Sequence, residues 1–208
     1  MDHARATTEG HETPAGYLVV LSAPSGGGKT TILQRLLQSN DPDFRYSVSA
    51  TTRKPRGTER HGREYFFISP EEFQEGIARG RFLEYARVHG NLYGTLRENV
   101  EKWLAQGKFV LMDIDVQGGL NIKRQMGERA ILIFIRPPSL ELLRERLHGR
   151  NTDSAEEIAA RLRAAEQEMA AAEQYDHVVT NYDLDDTVRQ VAEIIARYRR
   201  APAQPAGH

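Results

Sequence analysis

The sequence predicts a three-layer α/β fold, with a parallel core sheet covered by helices on both faces, a small mixed α/β insert and a helical segment rich in Arg and Ala. Three observations predict it. Short apolar, β-branched runs alternate with helical patterns through most of the 208 residues, the mark of parallel strands joined by crossover helices. A Pro/Ser/Gly cluster separates the first such strand from the first helix. Between residues 45 and 95 the rhythm changes to short strands around a single helix.

The elements follow in order. Residues 17–23 (YLVVLSA) read as a buried strand, and residues 29–38 carry helical periodicity through Ile32, Leu33, Leu36 and Leu37. In the insert, strands are expected at 47–50, 64–68 and 82–88. Its helix opens at a capping box, Ser69 with Glu72, and has Pro70 in its first position. Further strands are predicted at 109–115 (FVLMDID), 130–136 (AILIFIR) and 177–181 (HVVTN). Helices are predicted at 96–106, 116–125, 139–147 and 184–200, and a second capping box, Ser154 with Glu157, opens another within 144–173. Residues 1–16 are polar and contain no apolar core of a secretory signal. Residues 1–15 and the Ala/Pro/Gly-rich 201–208 read as flexible tails.

Lys plus Arg number 28 and Asp plus Glu 29, a formal charge of −1. That balance argues against a partner such as nucleic acid, which selects a net basic surface. No apolar run approaches the roughly 20 residues that span a bilayer, so no membrane partner is expected either. The chain has no cysteine, which excludes disulfides, iron–sulfur clusters, thiolate zinc sites and thiol nucleophiles. The seven histidines show no zinc-ligand spacing. A cytoplasmic location is expected.

Four groups of residues point to phosphate chemistry. The first is Ala23-Pro24-Ser25-Gly26-Gly27-Gly28-Lys29-Thr30-Thr31, a P-loop pattern in which Ala23 stands at the first glycine position. Its glycines let backbone N–H groups converge on phosphate oxygens, aided by the helix N-terminus. Lys29 would reach the β- and γ-phosphates and Thr30 would ligate Mg2+. The second is Asp113 with Asp115 at the end of an apolar strand, where open parallel sheets bind ligands. At a spacing of two both acids are expected on one face, to hold Mg2+ directly or through water. The third is the basic run Arg53, Lys54, Arg56, Arg60 and Arg63. Residues 45–65 hold six Lys/Arg against two Glu, and arginine forks match a monophosphate. The fourth is Arg144, Arg146, Arg150, Arg161 and Arg163, suited to charge stabilisation of a transferring phosphoryl group. Taken singly, a solvated basic loop, strand-end acids or helix-surface Arg–Glu pairs would account for the last three.

Together these segments resemble guanylate kinase, a P-loop nucleoside monophosphate kinase family, over about residues 16–200. The resemblance is carried by Ser22 to Thr30, by SVSATTRKPR ending at Arg56, by HGREYFF from His61, by GNLYGT ending at Thr95, by DIDVQG from Asp113 and by RLHGR from Arg146. It implies the three-layer P-loop kinase fold, with core 16–46, 96–143 and 174–200, a GMP-binding insert 47–95 and a helical lid 144–173. It implies that ATP phosphorylates GMP, and dGMP as well, with Mg2+ as cofactor. Arg53, Arg56, Tyr65 and Tyr93 match positions that hold the GMP phosphate; Ser49 is assigned to the phosphate or to the guanine. Glu84, Thr95 and Asp113 match positions near the guanine and the reaction centre. Lys29, Arg146, Arg150 and Arg161 match catalytic positions over the ATP phosphates, and Asn181 a position near the adenine. The chain departs from the family pattern at Ala23, at Leu92 for a frequent Tyr, at Asn151 for Gly and at Tyr182 for Asp. The alternative for such a chain is a non-catalytic, peptide-binding module of the same fold. Such modules usually lack a competent phosphate loop, whereas this one keeps Lys29 and Thr30.

Overall fold

The computed structural model describes residues 16–88, 90–148 and 155–200, with the backbone alone at 146–148, 155–157 and 200. Both predicted tails lie outside the described residues, as do Arg150, Asn151 and the cap residue Ser154.

The core sheet has five strands: β1 (Tyr17–Ser22), β2 (Phe44–Tyr46), β7 (Phe109–Asp113), β8 (Ala130–Arg136) and β9 (His177–Thr180). Their order is β2-β7-β1-β8-β9 and every pairing is parallel. The sequence runs look uniformly apolar because both sheet faces are buried. Leu18, Val20, Val110, Met112, Leu132 and Phe134 pack on one face, under α3 (Arg97–Leu104) and α4 (Val116–Met126). Val19, Leu21, Leu111, Ile131 and Ile133 pack on the other, under α1 (Lys29–Gln38) and α7 (Leu184–Arg200). The alternation along each strand is the pleat made visible.

The insert is a second, four-stranded mixed sheet. It consists of β3 (Ala50–Thr51), β4 (Phe66–Phe67), β5 (Phe82–Val88) and β6 (Asn91–Leu96), ordered β4-β3-β6-β5. β3 runs parallel to β4, while β6 is antiparallel to both β3 and β5. Its small core centres on Phe73, from α2 (Pro70–Ala78), stacked on Phe82 with ring centroids 4.3 Å apart. The predicted capping box is present in both directions. Ser69 Oγ accepts from the Glu72 amide at 3.0 Å, and Glu72 Oε2 accepts from the Ser69 amide at 2.9 Å. Such a cap contributes about 1 kcal/mol. Helices α5 (Leu140–His148) and α6 (Ala155–Ala170) share their own cluster of Leu143, Ile158 and Ala165. Among the described residues no helix is long and apolar enough to cross a membrane.

Four expectations need correction. The strand expected at 47–50 forms only at Ala50–Thr51. The Ser47 amide still bonds Leu111 O at 2.9 Å, so the chain stays with the core sheet up to that point and only then crosses to the insert. The strand expected at 64–68 is confined to Phe66–Phe67, since β3 offers it only two residues to pair with. β2 and β6 are additional strands. β2 is a three-residue edge, and β6 contains Gly94, which hides the strand pattern. Finally, β7 ends at Asp113, and Asp115 is the N-cap of α4, with φ −70° and ψ 171°. Strand alternation therefore does not set the direction of Asp115.

Candidate functional site

β1 delivers the chain to the phosphate loop at the carboxyl end of the sheet. Ala23 and Pro24 are buried, while Ser25 is exposed. Gly26 and Gly28 have φ of 88° and 91°, conformations that an L side chain resists. At Gly28 a Cβ would also meet Asn181 Nδ2 at 2.7 Å. Ala23 at the first glycine position is tolerated: it is not among the residues with positive φ. α1 starts at Lys29 with no side-chain cap on its N-terminus, so its first amide groups remain for an anion.

Lys29 Nζ donates to Ile114 O at 3.0 Å. Burial pulls its ammonium below the usual lysine range, and Asp113, Asp115 and Glu168 pull the other way. Thr30 Oγ1 donates to Asp113 Oδ2 at 3.1 Å, and Tyr46 OH donates to Asp113 Oδ1 at 3.3 Å. Burial, then the charge of Asp113, pushes the Tyr46 phenol far up, so it remains a donor. Asp115 Oδ1 accepts from the Gly118 amide at 2.7 Å as the cap of α4. The hydroxyl of Thr30 beside the carboxylate of Asp113 is a hard-oxygen pair of the kind Mg2+ takes alongside phosphates and waters. Asp115 is committed through Oδ1 to its helix. Thr31 is exposed on the first turn of α1.

A cavity of about 170 Å³ opens between this loop and the insert. Lys29, Asp113, Asp115 and Ile114 line it from the core side; Ser49, Tyr65, Glu84 and Tyr93 line it from the insert. Glu84 is 9% exposed and receives a 2.7 Å hydrogen bond from Thr95 Oγ1, a residue with no exposure at all. Burial raises the Glu84 carboxyl above the usual range, Asp115 adds to this, and the Thr95 bond opposes it. Gly118 leaves room for it: a Cβ there would lie 3.2 Å from Glu84 Oε2.

The remaining predicted residues are placed differently. Arg53 does not line the cavity but stacks over Tyr65 at 5.3 Å, its fork paired with Glu59. Arg56 is exposed on the following turn. Asn181 is buried beneath the phosphate loop. Its Nδ2 donates to Gly27 O at 3.0 Å and its Oδ1 accepts from Thr187 Oγ1 at 3.1 Å. Its side chain thus props up the loop from below, with one amide N–H left over. Arg161, on α6, donates to Ser25 Oγ at 3.4 Å and so reaches the phosphate loop. Arg146 lies on α5, and Arg150 is outside the described residues. Sequence reasoning missed Tyr46, Glu59 and Glu168. Their only signal would have been proximity, which one sequence does not carry.

A buried parallel strand feeding a glycine loop, with Lys29 and Thr30 turned toward the acid on a neighbouring strand end, defines a P-loop nucleotide-binding protein. Its insert adds an acid- and hydroxyl-bearing wall to the cavity beside that loop. Residues 15–198 match the family model for guanylate kinase, and the chain belongs to that family. The guanylate kinase of Bacteroides thetaiotaomicron is 50% identical over 184 residues, which cover 88% of this chain and 90% of the relative. That of Porphyromonas gingivalis is 46% identical over 182 residues, covering 87% and 97%. The crystal structure of guanylate kinase from Anaplasma phagocytophilum superposes with a TM-score of 0.74 at 34% identity, over 90% of this chain and 88% of that one.

Proposed function

We propose that this protein transfers the γ-phosphoryl group of ATP to GMP, and to dGMP, reversibly and with Mg2+. The observation that carries this reading is the buried Glu84 carboxylate facing the same cavity as Lys29 and Asp113. Guanine presents N1–H and a 2-amino group to a carboxylate, whereas adenine presents an acceptor and no 2-amino group. Ser49, Arg53, Arg56, Tyr65 and Tyr93 would then hold the acceptor phosphate, and Thr95 and Asp113 complete the guanine side. Ala23 to Thr31 cradle the ATP phosphates, with Asn181 supporting the loop from below.

An acceptor phosphate oxygen forms the new P–O bond while the bond to the bridging β–γ oxygen breaks, and its electron pair leaves with ADP. The acceptor needs no general base, because a phosphate monoester is largely dianionic at pH 7. The chain's task is alignment and charge neutralisation. Lys29 supplies a fixed charge, and Arg146, Arg150 and Arg161 close over the phosphates and exclude water. Thr30, Asp113 and, through water, Asp115 would hold Mg2+, which when bound neutralises phosphate charge. The proposed division of labour is a core of 16–46, 96–143 and 174–200, a GMP insert of 47–95 and a lid of 144–173. The intact Lys29–Thr30 pair separates this reading from a peptide-binding module. The proposed setting is the cytoplasm, where the enzyme returns GMP to the diphosphate pool.

A coupled assay of ADP release tests the reading with GMP, dGMP, AMP and UMP. ADP is expected with the two guanine nucleotides; no ADP from any of the four would overturn the enzymatic reading. Arg146→Ala and Arg150→Ala are each expected to lower kcat by ~10³–10⁵, the range of arginines that stabilise a transferring phosphoryl group. Turnover near that of the parent in both variants would remove the lid from the mechanism.

A further inference from the structure

The basic loop between β3 and β4 holds two glutamates that look, by composition, like mere charge balance. The structure gives them specific work. Glu64 Oε2 accepts from the Arg60 amide at 2.7 Å. Glu59 does more. Its Oε1 and Oε2 each accept from Arg53, from Nη2 and Nη1 respectively, both at 2.9 Å. Oε2 also accepts from the Arg56 amide at 2.7 Å, while the Glu59 amide donates back to Arg56 O at 3.0 Å. One carboxylate therefore closes a four-residue turn and grips the guanidinium lying three residues before that turn. The turn itself needs Gly57, at φ 51°.

Arg53 is thereby held on several sides. Nη1 also donates to Lys54 O at 2.8 Å, and the guanidinium lies over the rings of Tyr65 and Phe67 at 5.3 and 5.8 Å. Tyr65 in turn packs edge-on against Tyr93 with ring centroids 5.8 Å apart. Tyr65 and Tyr93 line the acceptor cavity. Glu59 and Lys54 O take three of the five Arg53 N–H groups, so Nε–H and one Nη2–H remain for a phosphate. An arginine with up to about 2 kcal/mol of rotamer entropy to lose is immobilised before any substrate arrives.

We propose that Glu59 is a positioning residue for the acceptor phosphate, holding Arg53 and the Arg56 turn in place so that both arginines are pre-set to bind it. The inference rests on the GMP-phosphorylating reading above. The competing idea is that Glu59 is a stand-in anion that substrate phosphate must displace. The geometry disfavours it: displacement would also strip the Arg56 amide of its acceptor and open the turn. The Arg53 and Arg56 contacts hold the Glu59 carboxyl below the usual carboxylate range, so it remains ionised at neutral pH. The charges acting on it are those of Arg53 and Arg56.

The two ideas predict opposite results for Glu59→Gln, assayed in the full chain. Positioning predicts that the KM for GMP rises about 10–100-fold, the cost of a lost charge-assisted hydrogen bond. The kcat at saturating GMP and the KM for ATP should stay within about twofold. In an Arg53→Ala background the same substitution should add less than it does in the parent, because the share of its effect that acts through Arg53 is already lost. A GMP KM that is unchanged or lowered would overturn the proposal, as would full additivity with Arg53→Ala. Glu59→Ala carries the same expectations should the Gln variant not fold. Loss of GMP phosphorylation by the parent protein would instead refute the underlying functional reading, so the two failures are distinguishable.

Discussion

Replacing Lys29 with Met is expected to lower kcat by ~10²–10³, the effect of removing one preorganised charge from a phosphoryl-transfer site. Lys29 sits at the one place where β1, the glycine loop and β7 converge. Its Nζ is tied to Ile114 O at 3.0 Å and faces Asp113, Asp115 and Glu168. Burial has already stripped most of its water, so in the reaction it reorganises little. Methionine keeps the length and apolar stem of the side chain and loses only the charge, leaving three carboxylates without their central cation. Steady-state kinetics with GMP in excess would read the change. Turnover within tenfold of the parent would mean that Lys29 does not face the transferring group.

Replacing Glu84 with Ala is expected to collapse the discrimination between GMP and AMP. A site built to hydrogen-bond a particular partner rejects the analogue lacking it by ~10⁴–10⁵, because the buried group is otherwise left unpaired. Here that group is a carboxylate 9% exposed, aimed by Thr95 at 2.7 Å and given room by Gly118. The ratio of kcat/KM for the two substrates is the measurement, and an unchanged ratio would refute the assignment. The same burial has a thermodynamic consequence. The folded state raises the Glu84 carboxyl above its ordinary value, through burial first and Asp115 second. The folded protein therefore binds this proton more readily than the unfolded chain does. The ionised carboxylate costs stability at pH values above its folded pKa, and the cost fades as pH falls into the ordinary carboxylate range. Glu84→Gln should accordingly unfold at a higher temperature than the parent at pH 8, by a margin that shrinks toward pH 4. An equal margin at both pH values would mean that the carboxylate is not strained. Stability is here given up to hold a recognition group where guanine can meet it.

Much of this was legible in the residues. The runs at 17–23, 109–115 and 130–136 are apolar at nearly every position because both faces of a parallel sheet are covered, so they announce both strand and topology. The Ser69–Glu72 box and Pro70 mark the start of α2 to the residue, since capping is a local reaction between side chain and backbone. The glycine loop is legible for the same reason: positive φ selects glycine at Gly26 and Gly28 wherever the rest of the chain lies. The strands β2 and β6 were not legible. Phe44–Tyr46 is a strand only because β7 lies beside it, and Gly94 is tolerated in β6 because Phe73 and Phe82 fill the space its missing side chain leaves.

The site divides along the same line. The sequence alone determines which chemistry is present: a phosphate loop with Lys29 and Thr30, strand-end acids, and arginines fit for phosphates. These depend on residue type and on spacing within a few positions. Only the tertiary structure decides which of them meet. It brings Glu84 across from Lys29, gives Asp115 to a helix cap and Asn181 to the underside of the loop. It also turns Glu59 from a charge in a count into the partner of Arg53. Such pairings join groups from different elements or across a turn. Their strength comes from shared burial and geometry, which exist only once the chain has folded.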